Sequence, residues 1–271
     1  MKKILSVIFC LIFLMGCASE DISTSKEPQA SASVPVRVAL IDTGLSSEAI
    51  PKKNIGDGHN YVNPQNSTED TFGHGTAVAS VIIEKAPDTV IVPLISTEYE
   101  RGYLTSVEND VLSKMIRDAV DVYNCKIINI SSGIRVDVKE IRDAVAYAEE
   151  KGVLIIAAAG NTYKELPDAI YYPAAYDSVI SVGALNAEKN DLAFFTHRGQ
   201  WVDGYAPGTD IEVLTLSRLK KTDYGTSLAA AFVCAEAVLI LEEKGNIPLS
   251  DLKNQLFSKA IALSEDIRAW K

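Results

Sequence analysis

From residue 36 onward, short apolar runs alternate with stretches in which apolar residues recur at helical spacing. Val36-Arg37-Val38-Ala39-Leu40-Ile41 reads as a buried strand, as do residues 90–95, 126–130, 153–158 and 179–182. These runs of four to six residues are the length of strands covered on both faces. Between them, Val107, Val111, Leu112, Met115, Ile116, Ala119 and Val120 share one helical face. So do Val138, Ile141, Ala144, Val145 and Ala148, where Asp137 and Glu140 offer a capping-box start. The alternation predicts an α/β fold: a mainly parallel sheet with helices on both faces, three layers in all. In such sheets ligands bind beyond the carboxyl ends of the strands. Residues 228–241 form a longer apolar run, but it is too short to cross a bilayer and contains Glu236, so it is predicted as a buried helix.

The first residues follow a different pattern. Lys2 and Lys3 precede an apolar run over residues 4–14, the length of an export signal and well short of a spanning helix. The run ends in Leu14-Met15-Gly16-Cys17, which resembles the lipobox of bacterial lipoproteins. That resemblance implies cleavage before Cys17 and acylation, palmitate included, of its thiol; an ordinary secretory signal is the alternative. Residues 18–34 are rich in Ser, Ala, Glu and Lys with little to bury, the composition of a disordered tether. The expected organisation is a signal peptide over residues 1–16, an acylated N-terminus and tether over 17–35, and one domain over 36–271. Two or more acyl chains would hold the protein on the bilayer. The expected location is therefore the extracytoplasmic face of a bacterial cell membrane.

Composition narrows the function. The chain of 271 residues is 47% apolar with no internal repeat, enough for one core. Its formal charge of −10 becomes −12 once Lys2 and Lys3 leave with the signal. An acidic surface argues against nucleic-acid partners and against electrostatic attachment to anionic lipid. Of four cysteines, Cys10 lies in the signal and Cys17 is the acylation candidate. Cys125 and Cys234 sit in apolar runs and are expected as buried free thiols, not as a bridge. No metal-ligand spacing and no Gly-rich phosphate loop occurs, so no metal and no cofactor are expected.

Three short motifs carry the candidate chemistry. Asp42-Thr43-Gly44 follows the first strand, Gly73-His74-Gly75-Thr76 opens an apolar helix, and Gly225-Thr226-Ser227 opens the long buried helix. Each alone is weak: a turn aspartate, a loop histidine, an N-cap serine. Together they supply a hydroxyl nucleophile, an imidazole base and a carboxylate to orient it, which is what a serine needs to attack at neutral pH. His59 and His197 lie in polar loop sequence and fit hydrogen-bonded or solvated roles better than catalysis.

The order Asp, His, Ser resembles that of the subtilisin-like (subtilase) serine proteases. Ile128-Asn129-Ile130-Ser131-Ser132-Gly133 is similar to the family's substrate-lining strand, and Ala157-Ala158-Ala159-Gly160-Asn161 to its oxyanion segment. Tyr172-Pro173-Ala174, residues 178–184, and Ala206-Pro207-Gly208 (a loop before the serine) extend the likeness over roughly residues 36–245. The resemblance implies an endopeptidase working through an acyl-enzyme. Ser227 would be its nucleophile, His74 its base, Asp42 the orienting group and Asn161 an oxyanion donor. Ser131, Ser132, Gly133, Ala158, Gly160 and Tyr171 would line the substrate site. A protein or peptide substrate and a monomeric enzyme are expected.

Three departures from the family pattern stand out. Ala231 occupies a position where relatives usually have proline, which implies altered activity or more transfer to amines. Residues 83–88 lead straight to the next strand without the calcium loop of many relatives, and residues 18–35 are too short for the large propeptide of secreted ones. Tyr171 stands at the expected floor of the primary specificity pocket, which implies a preference for small or polar residues before the cut. The alternative reading is a catalytically weak subtilase-fold lipoprotein used for binding or regulation.

Overall fold

The computed structural model describes residues 34–264 and 266–271. Cys17, the signal segment and most of the tether lie outside the described residues. In chain order the strands are β1 (Arg37–Asp42), β2 (His59–Asn60), β3 (Val90–Ile95), β4 (Thr97–Glu100), β5 (Tyr103–Ser106), β6 (Ile127–Ile130) and β7 (Leu154–Ala158). They continue as β8 (Val179–Leu185), β9 (Gly204–Pro207), β10 (Ile211–Leu214), β11 (Lys220–Asp223), β12 (Ile261–Ser264) and β13 (Ile267–Ala269). The helices are α1 (His74–Lys85), α2 (Asn109–Asp121), α3 (Lys139–Glu150), α4 (Thr226–Lys244) and α5 (Leu249–Ser258).

Nine strands form one sheet in the order β12-β13-β9-β8-β7-β6-β1-β3-β2. Every pairing in it is parallel except β12 with β13. Strand β1 shows why its sequence is apolar without alternation. Val38 and Leu40 enter one core cluster, with α1, α4 and α5, while Ala39 and Ile41 enter a second, with α2 and α3. A strand covered on both faces needs apolar residues at every position. The three-layer α/β architecture expected from the alternation is the one observed.

Helix α4 is the centre of the first layer. Fourteen of its nineteen residues are buried, the mark of a helix surrounded by protein. Its one charged residue near the middle, Glu236, is held by Lys85 at 2.8 Å and Lys259 at 2.7 Å. Among the described residues no helix is long and apolar enough to cross a membrane. Cys125 and Cys234 are buried free thiols.

Several elements differ from their sequence expectation. The capping box at α3 does not form: the N-cap is Val138 without a side-chain cap, and the Asp137 carboxylate instead accepts from Arg142 and from the Tyr176 hydroxyl. A guanidinium gives stronger, charge-assisted bonds than the neutral backbone donors of a cap. Ala206 and Pro207, read as loop, close strand β9, and His59 opens the short strand β2.

Strand β1 lies where the sheet changes direction. Its neighbours are β3 on one side, reached through α1, and β6 on the other, reached through α2, on opposite faces. Such a switch point leaves a crevice at the strands' carboxyl ends. Asp42 is the last residue of β1.

Candidate active site

Asp42 is buried, and its Oδ1 accepts from the Thr43 backbone N–H at 2.8 Å and from His74 Nδ1 at 2.7 Å. Its Oδ2 is buried with no partner among the described residues. His74 is the first residue of α1. With Nδ1–H given to Asp42, Nε2 is the ring atom left for chemistry. The neighbouring Asp42 charge raises the imidazole pKa, against the effect of burial, to about 9, with smaller contributions from Asp70 and Asp223.

The approach of the two motifs depends on one missing side chain. A Cβ on Gly75 would lie 2.3 Å from the Gly44 carbonyl oxygen, so only glycine allows the histidine helix to reach the loop after β1. Asp70, which sequence reasoning did not single out, fixes the same junction. Its Oδ1 accepts from Thr43 Oγ1 (3.0 Å) and from the N–H groups of Phe72 (2.9 Å) and Gly73 (2.7 Å). Its Oδ2 accepts from Thr76 N–H (2.9 Å) and Thr76 Oγ1 (2.7 Å). A carboxylate here satisfies donors at the α1 N-terminus and complements the helix dipole. An aspartate four residues ahead of the helix-opening histidine was the available signal.

Ser227 sits in the first turn of α4, buried, with its hydroxyl donating to the Ser131 carbonyl oxygen at 3.3 Å. Its backbone N–H belongs to the helix end that has no intrahelical acceptor. Asn161 follows β7, and its Oδ1 accepts from Thr226 N–H (2.8 Å) and Thr226 Oγ1 (2.9 Å). A backbone N–H can only donate, so the oxygen of the amide must face Thr226 and Nδ2 is left as a free donor. Thr226 Oγ1 in turn accepts from Gly160 N–H at 3.1 Å. Thr226, absent from the sequence-level candidates, therefore ties the β7 loop to the start of α4.

His74, Asn161 and Ser227 line one open cleft of about 540 Å³, together with Leu216, Asp223 and Tyr224. Of the substrate-site candidates, Ser131, Ser132 and Gly133 leave β6, and Ala158 ends β7 just before Gly160. Tyr171 packs between Gly133 and Gly160. His197 is fully buried, its Nε2 paired with Thr162 Oγ1 at 3.0 Å, and burial lowers its pKa. Among the described residues no group of three or more His, Cys, Asp or Glu gathers as metal ligands.

Comparison with known proteins gives a consistent likeness. The profile of the Subtilase family matches residues 35–268, further toward the C-terminus than the motifs read from sequence. Minor extracellular protease Epr of Bacillus subtilis (strain 168) is 33% identical over 219 residues, which are 76% of this chain and 32% of that protein. The chain thus spans about a third of that relative's length. Subtilisin DY of Bacillus licheniformis is 31% identical over 236 residues, 85% of each chain. Among solved structures, the S41 psychrophilic protease superposes with a TM-score of 0.74 at 26% identity, covering 86% of this chain and 85% of its own.

Proposed function

This chain belongs to the subtilase family and is a serine endopeptidase, and on that premise we propose that Ser227, His74, Asp42 and Asn161 carry its chemistry, on an enzyme held by an N-terminal lipid at the outer face of a bacterial cell membrane. The observation that carries the assignment of residues is the 2.7 Å His74–Asp42 bond in a cleft that also holds Ser227 and the free amide of Asn161.

In this reading Ser227 Oγ leaves its contact with the Ser131 carbonyl and attacks the scissile carbonyl carbon while His74 Nε2 takes the hydroxyl proton. Asp42 keeps the Nδ1–H tautomer and stabilises the imidazolium without itself taking the proton. The negative charge on the carbonyl oxygen is met by Asn161 Nδ2 and the Ser227 N–H. Collapse breaks the C–N bond, and the proton on Nε2 goes to the leaving amine. Water, deprotonated by the same Nε2, then attacks the acyl-enzyme; the ester C–O bond breaks, Nε2 returns its proton to Ser227 Oγ and the carboxylate product leaves. The hydrogen-bond acceptor of Ser227 Oγ is Ser131, not His74. Such bonds are commonly loose before substrate binds.

The test is reaction with a fluorophosphonate probe beside the Ser227→Ala variant. Labelling confined to the wild type and caseinolysis lost in Ser227→Ala support the reading. No labelling favours the alternative of a catalytically weak subtilase-fold lipoprotein.

The anchor rests on Leu14-Met15-Gly16-Cys17. Acyl chains there, with the domain outside the cytoplasm, suit an enzyme acting on exported proteins or peptides. Incorporation of a palmitate analogue into the wild type and release of Cys17→Ala from the membrane fraction are the expected results; a wild type that takes up no label overturns the anchor alone.

A further inference from the structure

Tyr171 fills the space between the two backbone segments that flank Ser227. Two backbone segments flank Ser227: the one leaving β6, whose Ser131 carbonyl accepts from Ser227 Oγ, and the one leaving β7, whose Gly160 N–H donates to Thr226. The Tyr171 side chain lies between these same segments. A Cβ on Gly133 would come within 3.3 Å of Tyr171 Cβ, and a Cβ on Gly160 within 3.0 Å of its ring carbon Cδ2. The glycines on both walls make room for a side chain, and that side chain belongs to the protein itself. The open cleft lies against Asp223, Tyr224 and Leu216; Gly133 and Tyr171 are not among the residues lining it.

The ring is held from behind. Its hydroxyl pairs with Thr162 Oγ1 at 2.7 Å, and Thr162 Oγ1 pairs with His197 Nε2 at 3.0 Å. The His197 and Tyr171 rings meet edge to face, with centroids 5.1 Å apart. His197 is anchored by its own backbone N–H, which donates to the Gly160 carbonyl at 3.1 Å. Its Nδ1 is buried without a partner among the described residues. A bare lone pair there costs less than a stranded N–H, so the proton belongs on Nε2, where it is donated to Thr162. Histidine 197 is therefore neutral and fixed, as its buried position requires.

We propose that Thr162 and His197 are positioning residues that hold Tyr171 as a built-in plug, so that the enzyme accepts only glycine, alanine or serine immediately before the scissile bond. The proposal rests on Ser227 being the nucleophile. With the plug in place, a large side chain must displace a ring that packs against two backbone walls and is tied by its hydroxyl. A small one fits above it.

The test uses the full chain in detergent, titrated by fluorophosphonate, on peptides that differ only in having Ala or Phe before the cut. The wild type is expected to favour Ala by about 100-fold in kcat/KM, the upper range of what a pocket contact confers. Tyr171→Gly should reverse the preference. Thr162→Val should raise the Phe-to-Ala ratio about 10-fold, and Thr162→Ser, which restores the hydroxyl, should return it to the wild-type value. A merely structural role would lower both substrates together. Should Thr162→Val fail to fold, Tyr171→Phe removes the same link and should also raise the ratio. A labelled wild type that cleaves after Phe as readily as after Ala, or a Tyr171→Gly variant with an unchanged ratio, overturns the plug. Absence of labelling overturns the nucleophile assignment, and the plug with it.

Discussion

The Asn161 side-chain oxygen accepts from the Thr226 N–H at 2.8 Å, and this bond decides which end of the amide faces the cleft. The residue thereby does two things at once: it satisfies a donor at the start of α4 and leaves Nδ2 free beside Ser227.

The two roles separate by substitution. Asn161→Asp keeps an acceptor for Thr226 but replaces the free donor with a charge of the wrong sign. Asn161→Ala loses both functions. Activity should fall by at least about 10²–10³-fold in either variant, the cost of about 2.7–4 kcal/mol for one oxyanion donor. Thermal melts should show Asn161→Ala losing roughly 1 kcal/mol or more for the unpaired donors, and Asn161→Asp losing less. Equal activity in Asn161→Ala and wild type would remove Asn161 from the site.

The His74–Asp42 pair predicts opposite pH trends for stability and rate. The folded state binds the His74 proton more tightly than the unfolded chain does, holding its pKa at about 9 against an ordinary 6.5. The stability this contributes is complete below about pH 6.5 and disappears as pH rises through about 9. Catalysis needs the neutral ring, so kcat/KM should climb over the same range and level off above it. Asp42→Asn should lower kcat about 10⁴-fold. Asp223→Asn, removing one of the charges that raise His74, should move the alkaline rise to lower pH. A profile flat from pH 6 to 10 would contradict the assignment.

Asp70 should matter to both fold and function. Asp70→Ala leaves five donors at the loop–helix junction without their acceptor. A loss of about 3 kcal/mol or more is expected from breaking a buried charged network, with a melting temperature lower by roughly 6–12 °C for a domain of this size. Because His74 begins that helix, kcat should fall as well. A Tm within a degree of wild type would show that water or neighbours replace the carboxylate.

Acid should expose the strain of keeping His197 neutral. Its folded pKa is depressed by burial, so this contribution to stability is whole above about pH 6.5 and declines as pH falls below that value. His197→Gln cannot take up a proton. Its melting temperature, measured from pH 7.5 to 5, should decline less than that of the wild type. Identical slopes would place the wild-type decline elsewhere.

Periodicity and motif spacing made much of this protein legible in one dimension. Runs without alternation marked strands covered on both faces, as at residues 37–42 and 154–158, and the long, largely apolar helix beginning near Thr226 announced its own burial. Those features depend on neighbours a few residues apart, which the chain itself supplies. Asp42, His74 and Ser227 each stood at the end of a strand or the start of a helix, so their motifs and order were readable before any contact between them was.

Other features were settled only by the folded packing. Asp137 reads as a cap until Arg142 and Tyr176 claim its carboxylate, and Asp70 stands out only once Thr43 and Thr76 converge on it. Histidine 197 looks like a loop residue in sequence, yet it is the buried end of a chain of hydrogen bonds that reaches Tyr171. Asp137 is claimed at the surface, where a neighbouring guanidinium out-competes the backbone donors of a cap. For Asp70 and His197 the reason is burial. Once water is excluded each polar group must find a partner, and which groups meet in that dry space is fixed by how the layers pack, not by local propensity.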